Sequence, residues 1–441
     1  GQAKGDGRTS SRTRGSTEMA TALIDSSFPA ISSLLEAAPS VAGTACASYM
    51  KAATALMAAR LGLVERSVTV DGLPWTYLER PAVGVSTAGG RTTILLHGMS
   101  MSLHEFIPCA HALRSLPGRL LLLPYLGHDD DARPLPDGRL KRHPDVDEGT
   151  AWMLKLIAAL GVADYNLVGY SLGGSTALAL AAHSHGIRRI VCLNPGFAEA
   201  VGDAEARVRL CEVYAYTDAP SARRFVDECL TPADKGYAVQ GWVGELFQRA
   251  MPMPAYLRTM YEGMMASYDD HLTSKWVPAL LRRGPGRAPP VLCIASEGDR
   301  VIRHDAVRRL CEEWAAAGLD VSFLSQPGYG HWFSDKGSSL VKFWSYFEAT
   351  APAVLDFLAP RPRAVPRRPP AAYPASEYPA SDCPAPDPLT RHSSMRTRSA
   401  GAAGARSPVG RKTQGSQAAE PRPADPPERP SELSARATFL S

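Results

Sequence analysis

In Gly169-Tyr170-Ser171-Leu172-Gly173-Gly174 a serine stands between glycines placed two residues before it and two residues after it. An apolar run at 166–169 precedes this serine, and a run of small and aliphatic residues at 172–183 follows it. Strand, sharp turn and helix in that order hold a side chain at the carboxyl edge of a sheet, on a backbone strained enough to need glycine beside it. Ser171 is therefore the candidate nucleophile, and Gly169 and Gly173 are the glycines its turn demands. A serine hydroxyl attacks a carbonyl only if a base takes its proton, and the base needs a partner that fixes its tautomer. Two downstream loops offer both. The apolar run 291–294 leads into Ala-Ser-Glu-Gly-Asp-Arg, which puts Asp299 after a late strand with Glu297 as the nearest competing acid. The run 321–324 leads into Gly328-Tyr329-Gly330-His331, which puts His331 after the last strand. Upstream, Ile94-Leu95-Leu96-His97-Gly98-Met99 is an apolar strand ending in His-Gly. Acyl transfer needs N–H donors aimed at the developing oxyanion, and the natural pair is the backbone of Met99 and of Leu172. His97 reads as a structural hydrogen-bonding residue and not as a second base.

The elements that must position these residues follow from the hydrophobic pattern. Runs at 67–70 and 75–79 flank Asp71-Gly72, a hairpin signal. Further strand-like runs lie at 92–96, 120–123, 166–169, 190–193, 291–294 and 321–324, with helical stretches such as 150–160 and 172–183 between them. An opening antiparallel hairpin followed by this alternation predicts an α/β fold with a mostly parallel, doubly wound sheet. Residues 67–196 and 277–358 form its core. Residues 197–276 break the rhythm with helix-like segments that carry Tyr214, Tyr216, Trp242, Phe247 and the methionines Met251, Met253, Met260, Met264 and Met265. This interval reads as a helical lid, with Met260, Met264 and Met265 as pocket wall and ordinary helix packing as the alternative for the same side chains. Residues 19–66 form a helical lead-in, helix-compatible over 28–63, with Pro29 and Pro39 breaking it early. Its uncharged run is too short to span a bilayer, which leaves peripheral membrane contact as the minor reading.

Composition narrows the classes further. With 45% hydrophobic and 21% charged residues the chain is globular, and a disordered, collagenous or disulfide-framework protein is excluded. The eight cysteines show no CxxC pair and no metal-ligand spacing, so they read as buried thiols and favour an intracellular, reducing compartment. The cluster His128-Asp129-Asp130-Asp131 reads as a solvated loop, because consecutive loop side chains diverge and no distant ligands accompany it. No metal and no cofactor are expected. Residues 1–18 lack apolar content and read as disordered. So do residues 359–441, where 16 of the 37 prolines lie among Ala, Arg and Ser. The tail's basic charge is diffuse, so no nucleic-acid partner is expected, and the partner is a small-molecule ester or lipid.

Through LLHG at 95–98, GYSLGG at 169–174, EGDRVI at 297–302 and GYGHWF at 328–333, the chain resembles the α/β-hydrolase superfamily over about 67–357. RSVTVDGLPWTYLE and MPMPAYLRTMYEGMMASY look most like its lipase and monoacylglycerol-lipase branch. The resemblance implies that Ser171, Asp299 and His331 form a triad, that Met99 and Leu172 form the oxyanion hole, and that the insertion caps an acyl pocket. Where relatives read D-x-P-G-H-G, this chain has Pro124-Tyr125-Leu126-Gly127-His128-Asp129 and a polar insertion to about residue 146. The implied activity is carboxylic-ester hydrolysis, with C–C hydrolase, iminopeptidase or perhydrolase chemistry and non-catalytic binding of a small ligand as alternatives. A serine at 171 argues against the branches that use a carboxylate nucleophile.

Overall fold

Eight short apolar runs pair into one sheet: β1 (Val64–Val70), β2 (Leu73–Arg80), β3 (Thr92–Leu96), β4 (Leu120–Leu123), β5 (Tyr165–Tyr170), β6 (Ile187–Leu193), β7 (Val291–Ser296) and β8 (Val321–Gln326). The computed structural model describes residues 38–82, 91–99, 101–125, 146–251, 272–284, 286–336 and 344–359. All of them fall in the first of the two units into which the chain divides, Gly1–Arg363. Strand order is β1-β2-β4-β3-β5-β6-β7-β8. The β1–β2 and β2–β4 pairs are antiparallel and every other pair is parallel. The hairpin turns at Asp71 and Gly72, both at positive φ (47° and 81°), the backbone that a tight two-residue turn requires. Strand β1 begins three residues earlier than the sequence pattern suggests, because Val64, Glu65 and Arg66 extend its ladder along β2.

Helices cover the sheet on both faces, which is why β4, β5 and β7 are buried at every residue. Helix α1 spans Pro39–Leu61, α2 Ile107–Ala112, α3 Val146–Ala159 and α4 Leu172–His183. Pro39 does not interrupt α1 but starts it: at the first helical position its missing N–H costs no bond and its fixed φ suits the helix. Gly62, at φ 64°, closes α1 with a bond to the Ala59 carbonyl. Among the described residues no helix is long and apolar enough to cross a membrane.

Between β6 and β7 the described residues hold helices and no strand: α5 (Ala198–Val201), α6 (Ala204–Tyr214), α7 (Ala219–Phe225), α8 (Gly241–Ala250) and α9 (Thr273–Leu281). Helix α7 runs on into a π-helical turn at Val226–Leu230. Its start is set by Asp218 and Ser221, each side chain accepting the other's backbone N–H. Phe225 lies at the centre of this region, 4.6 Å from the Tyr214 ring, 5.4 Å from Tyr216 and 6.1 Å from Phe247. Helix α9 straddles the 276/277 boundary expected between lid and core, and it packs on α4, burying Trp276, Val277 and Leu280. Helices α10 (His304–Ala316) and α11 (Ser345–Leu358) complete the described elements.

The winding of the sheet marks one crevice. From β3 the chain passes to β4 on one side, whereas from β5 it passes to β6 on the other, so the carboxyl ends of the neighbouring strands β3 and β5 diverge into separate connections. That is where an open parallel sheet leaves room for a ligand. His97, Gly98 and Met99 leave β3 there, and Ser171 leaves β5.

Candidate active site

Ser171 lies between the last residue of β5 and the first of α4, with φ 53° and ψ −117°. No ordinary L-residue rests there without strain. Its backbone is held from both sides: the N–H donates to the Leu193 carbonyl at 2.9 Å, and its carbonyl accepts N–H bonds from Gly174 (2.9 Å) and Gly196 (2.8 Å). The flanking glycines answer a lack of space. A Cβ on Gly169 would run into the Gly173 carbonyl, and a Cβ on Gly173 would run into the Leu96 carbonyl. The first turn of α4 thus lies directly on the ends of β3 and β5, and its leading N–H, that of Leu172, has no acceptor within the helix.

Two loops bring the remaining groups to the serine. His331 follows β8, and its Nε2 is 3.0 Å from Ser171 Oγ. Its Nδ1 is 2.7 Å from Asp299 Oδ2 in the loop after β7. A carboxylate can only accept, so Nδ1 carries the proton and Nε2 is left to accept from the serine hydroxyl. The other Asp299 oxygen accepts the N–H groups of Val301 (2.8 Å) and Ile302 (2.9 Å), which fixes the carboxylate in its turn. Ser171, Asp299 and His331 are all buried. Glu297, the competing acid, instead accepts from Ser325 Oγ at the surface. The residues after His331 are tied to the π-helical turn, since the Leu230 carbonyl accepts N–H bonds from both Trp332 (3.0 Å) and Phe333 (2.9 Å).

A narrow cleft opens on Ser171 and His331. Its walls are Met99 and Met101 from the segment after β3, Tyr170 at the end of β5, Tyr214, Phe225, Leu230 and Met251 from the segment between β6 and β7, and Trp332 beside the histidine. Of the methionines singled out in the sequence, Met251 reaches this pocket, whereas Met260, Met264 and Met265 lie outside the described residues, as does the 128–131 cluster. Tyr214, singled out in the sequence, is in the wall, whereas Phe225 and Leu230 carry no signal beyond being apolar residues of a helical stretch. His97 is buried with Nδ1 donating to the Gly98 carbonyl at 2.8 Å, and burial pushes its pKa down to about 4. It is a neutral structural residue with its ring edge-on to Tyr125. Below the serine, Tyr170 lies in an aromatic cluster with Phe106, Trp332, Tyr346 and Phe347. Among the described residues no group of three or more His, Cys, Asp or Glu could hold a metal ion, and six described cysteines are buried free thiols.

A family model described as the alpha/beta hydrolase fold matches residues 93–338. Among solved structures, a membrane phospholipase A described as a bacterial virulence factor is similar with a TM-score of 0.54 and 20% identity, covering 75% of this chain and 97% of that one. A putative lipase from Acinetobacter baumannii is similar at 0.53 and 14% identity, covering 70% and 95%. An enol-lactonase from Burkholderia xenovorans is similar at 0.50 and 20% identity, covering 66% and 99%. At these identities the likeness is one of fold.

Gly173→Ala forces backbone against backbone with no flexible side chain to give way, so it lowers stability by about 3 kcal/mol in a denaturant titration. His97 titrates near its ordinary 6.5 when unfolded and near 4 when folded. Between those values the unfolded chain binds the proton and the native chain does not, so stability falls as pH drops through this window, by up to about 1.4 kcal/mol per pH unit. Urea midpoints measured from pH 7 to pH 4 therefore fall less steeply for His97→Gln than for the parent; equal slopes would remove His97 as the source.

Proposed function

The chain belongs to the α/β-hydrolase fold family, and from that premise we propose that it is a serine hydrolase that cleaves carboxylic esters of the lipase type through an acyl-enzyme on Ser171. One observation carries the reading: a hydroxyl on a strained turn, 3.0 Å from an imidazole nitrogen whose other nitrogen is bonded to a buried carboxylate at 2.7 Å. Ser171 Oγ attacks the ester carbonyl while His331 Nε2 takes its proton. The Asp299 carboxylate stabilises the imidazolium and keeps the ring in the correct tautomer. The carbonyl oxygen becomes an oxyanion facing the N–H groups of Met99 and Leu172, the second of them at a helix N-terminus where negative charge is favoured. The imidazolium then protonates the departing alkoxide and the C–O bond breaks. Water, deprotonated by the same histidine, attacks the acyl-enzyme, and the second tetrahedral species collapses to release the acid and restore the serine.

The pocket's chemistry supports an apolar acyl group. Methionine, leucine and aromatic side chains make up most of its wall around Ser171 and His331, with no Lys, Arg, Asp or Glu among them. Such a lining binds alkyl chains by displacing water and offers no Lys or Arg to pair with a charged acid. Two structural neighbours, a phospholipase A and a putative lipase, support lipid esters as the substrate class.

The test is hydrolysis of a p-nitrophenyl ester series from acetate to long-chain acyl groups by the full chain. Wild type turns over, with preference for acyl chains longer than acetyl. Ser171→Ala and Asp299→Asn each lose about 10⁴-fold in kcat without a change in melting temperature. Absence of hydrolysis across the series, or hydrolysis that survives Ser171→Ala, overturns the reading.

A further inference from the structure

The bond to Asp299 fixes the rotation of the His331 ring, but it does not fix where the backbone holds that ring. The peptide between His331 and Trp332 does, and it is held at both its polar ends. Its N–H, that of Trp332, donates to the Leu230 carbonyl at 3.0 Å. Its C=O, that of His331, accepts two bonds inside the protein: one from the Tyr170 hydroxyl at 2.7 Å and one from Asn194 Nδ2 at 2.9 Å. A carbonyl has two lone pairs, and here both are used by side chains from distant parts of the chain. We infer that Tyr170 and Asn194 are positioning residues that place the His331 imidazole against Ser171 by gripping its main-chain carbonyl. Only the kinetic consequence of this placement rests on the hydrolase reading.

Each donor is built for the purpose. Tyr170 immediately precedes Ser171, so the grip runs from the serine's own neighbour directly to the backbone of its base. Burial, reinforced by the nearby Asp299 charge, pushes the Tyr170 phenol well up, which keeps it protonated and able to donate. Asn194 is the first residue after β6, at φ 42°, a left-handed backbone that asparagine tolerates better than most residues, and it is fully buried. Its amide orientation follows from its partners: Oδ1 accepts the Ser296 N–H at 2.8 Å, while Nδ2 donates to Ser296 Oγ at 3.1 Å and to the His331 carbonyl. Ser296 ends β7, and the N–H of Asp299 donates to its carbonyl at 3.3 Å. Leu193, the residue before Asn194, holds the Ser171 N–H. One side chain therefore joins the strand end that carries the acid to the loop that carries the base, one residue from the anchor of the nucleophile.

The Tyr170 ring also packs against Phe106, Trp332, Tyr346 and Phe347, so a packing role must be separated from a positioning role. Tyr170→Phe does this, because it keeps the ring and removes only the hydroxyl. Asn194→Gly keeps the left-handed backbone and removes the side-chain bonds, at a cost in stability that makes Tyr170→Phe the decisive variant. Two readouts on the full chain are used: the downfield proton resonance of the His331 Nδ1–H, which needs no turnover, and kcat and KM on p-nitrophenyl acetate. The expected result for Tyr170→Phe is a melting temperature close to wild type, a shifted or exchange-broadened Nδ1–H resonance, and kcat lower by about 10-fold at nearly constant KM. Asn194→Gly moves the resonance in the same way. A folded Tyr170→Phe with the wild-type resonance overturns the inference, and so does a loss confined to KM, which would leave Tyr170 with a role in the pocket wall alone. If the resonance moves but wild type hydrolyses no ester, the positioning role stands and the ester-hydrolase reading falls.

Discussion

Between the first turn of α4 and the strands β5 and β3 there is no room for a single added carbon atom at Gly169 or Gly173. Everything at the site depends on that closeness. It forces glycine at both positions, drives Ser171 into a left-handed backbone, and leaves the serine hydroxyl standing above the carboxyl edge of the sheet. It also brings the first N–H of α4, which has no acceptor within the helix, to the end of β3, from which the chain runs on to Met99. The strain at Ser171 is borne by three backbone hydrogen bonds, to Leu193, Gly174 and Gly196, so the turn is held as part of the sheet edge and not as a loop.

The other two groups arrive on loops, and loops are mobile unless something ties them. Asp299 is tied within its own turn by the N–H groups of Val301 and Ile302, and His331 is tied by bonds that cross the fold. The helices inserted between β6 and β7 share in this, because the Leu230 carbonyl at the end of the π-helical turn receives the two N–H groups after the histidine. The same insertion that walls the pocket with Tyr214, Phe225 and Met251 is thereby bonded to the chain segment that carries the proposed base. Pocket and chemistry are parts of one hydrogen-bonded unit.

How much of this is legible in the residues depends on how local the physics is. The turn at Ser171 is legible because its strand, glycines and helix are contiguous in the chain, and the central strands are legible because burial on both faces leaves unbroken aliphatic runs such as Leu120–Leu123. Asp299 and Glu297 cannot be ranked from spacing, since both lie in the same loop; the direction in which the turn points Asp299 decides between them. Pro39 looks like a helix breaker in a list of residues and is a helix start once the preceding backbone is seen. The grip of Tyr170 and Asn194 on His331 spans more than a hundred residues in the chain, and no pattern in either segment announces it. Asn194 leaves one trace, an asparagine at the end of an apolar run and just before a proline, which marks a turn but not its partner.

The central claim is that the fold activates one hydroxyl out of many, and covalent trapping tests it most directly. The full chain is treated with a fluorophosphonate, digested, and its adduct mapped by mass spectrometry. The account predicts a single adduct on the peptide bearing Ser171, and none in Ser171→Ala. An unmodified wild type, or an adduct on a different serine, would contradict it.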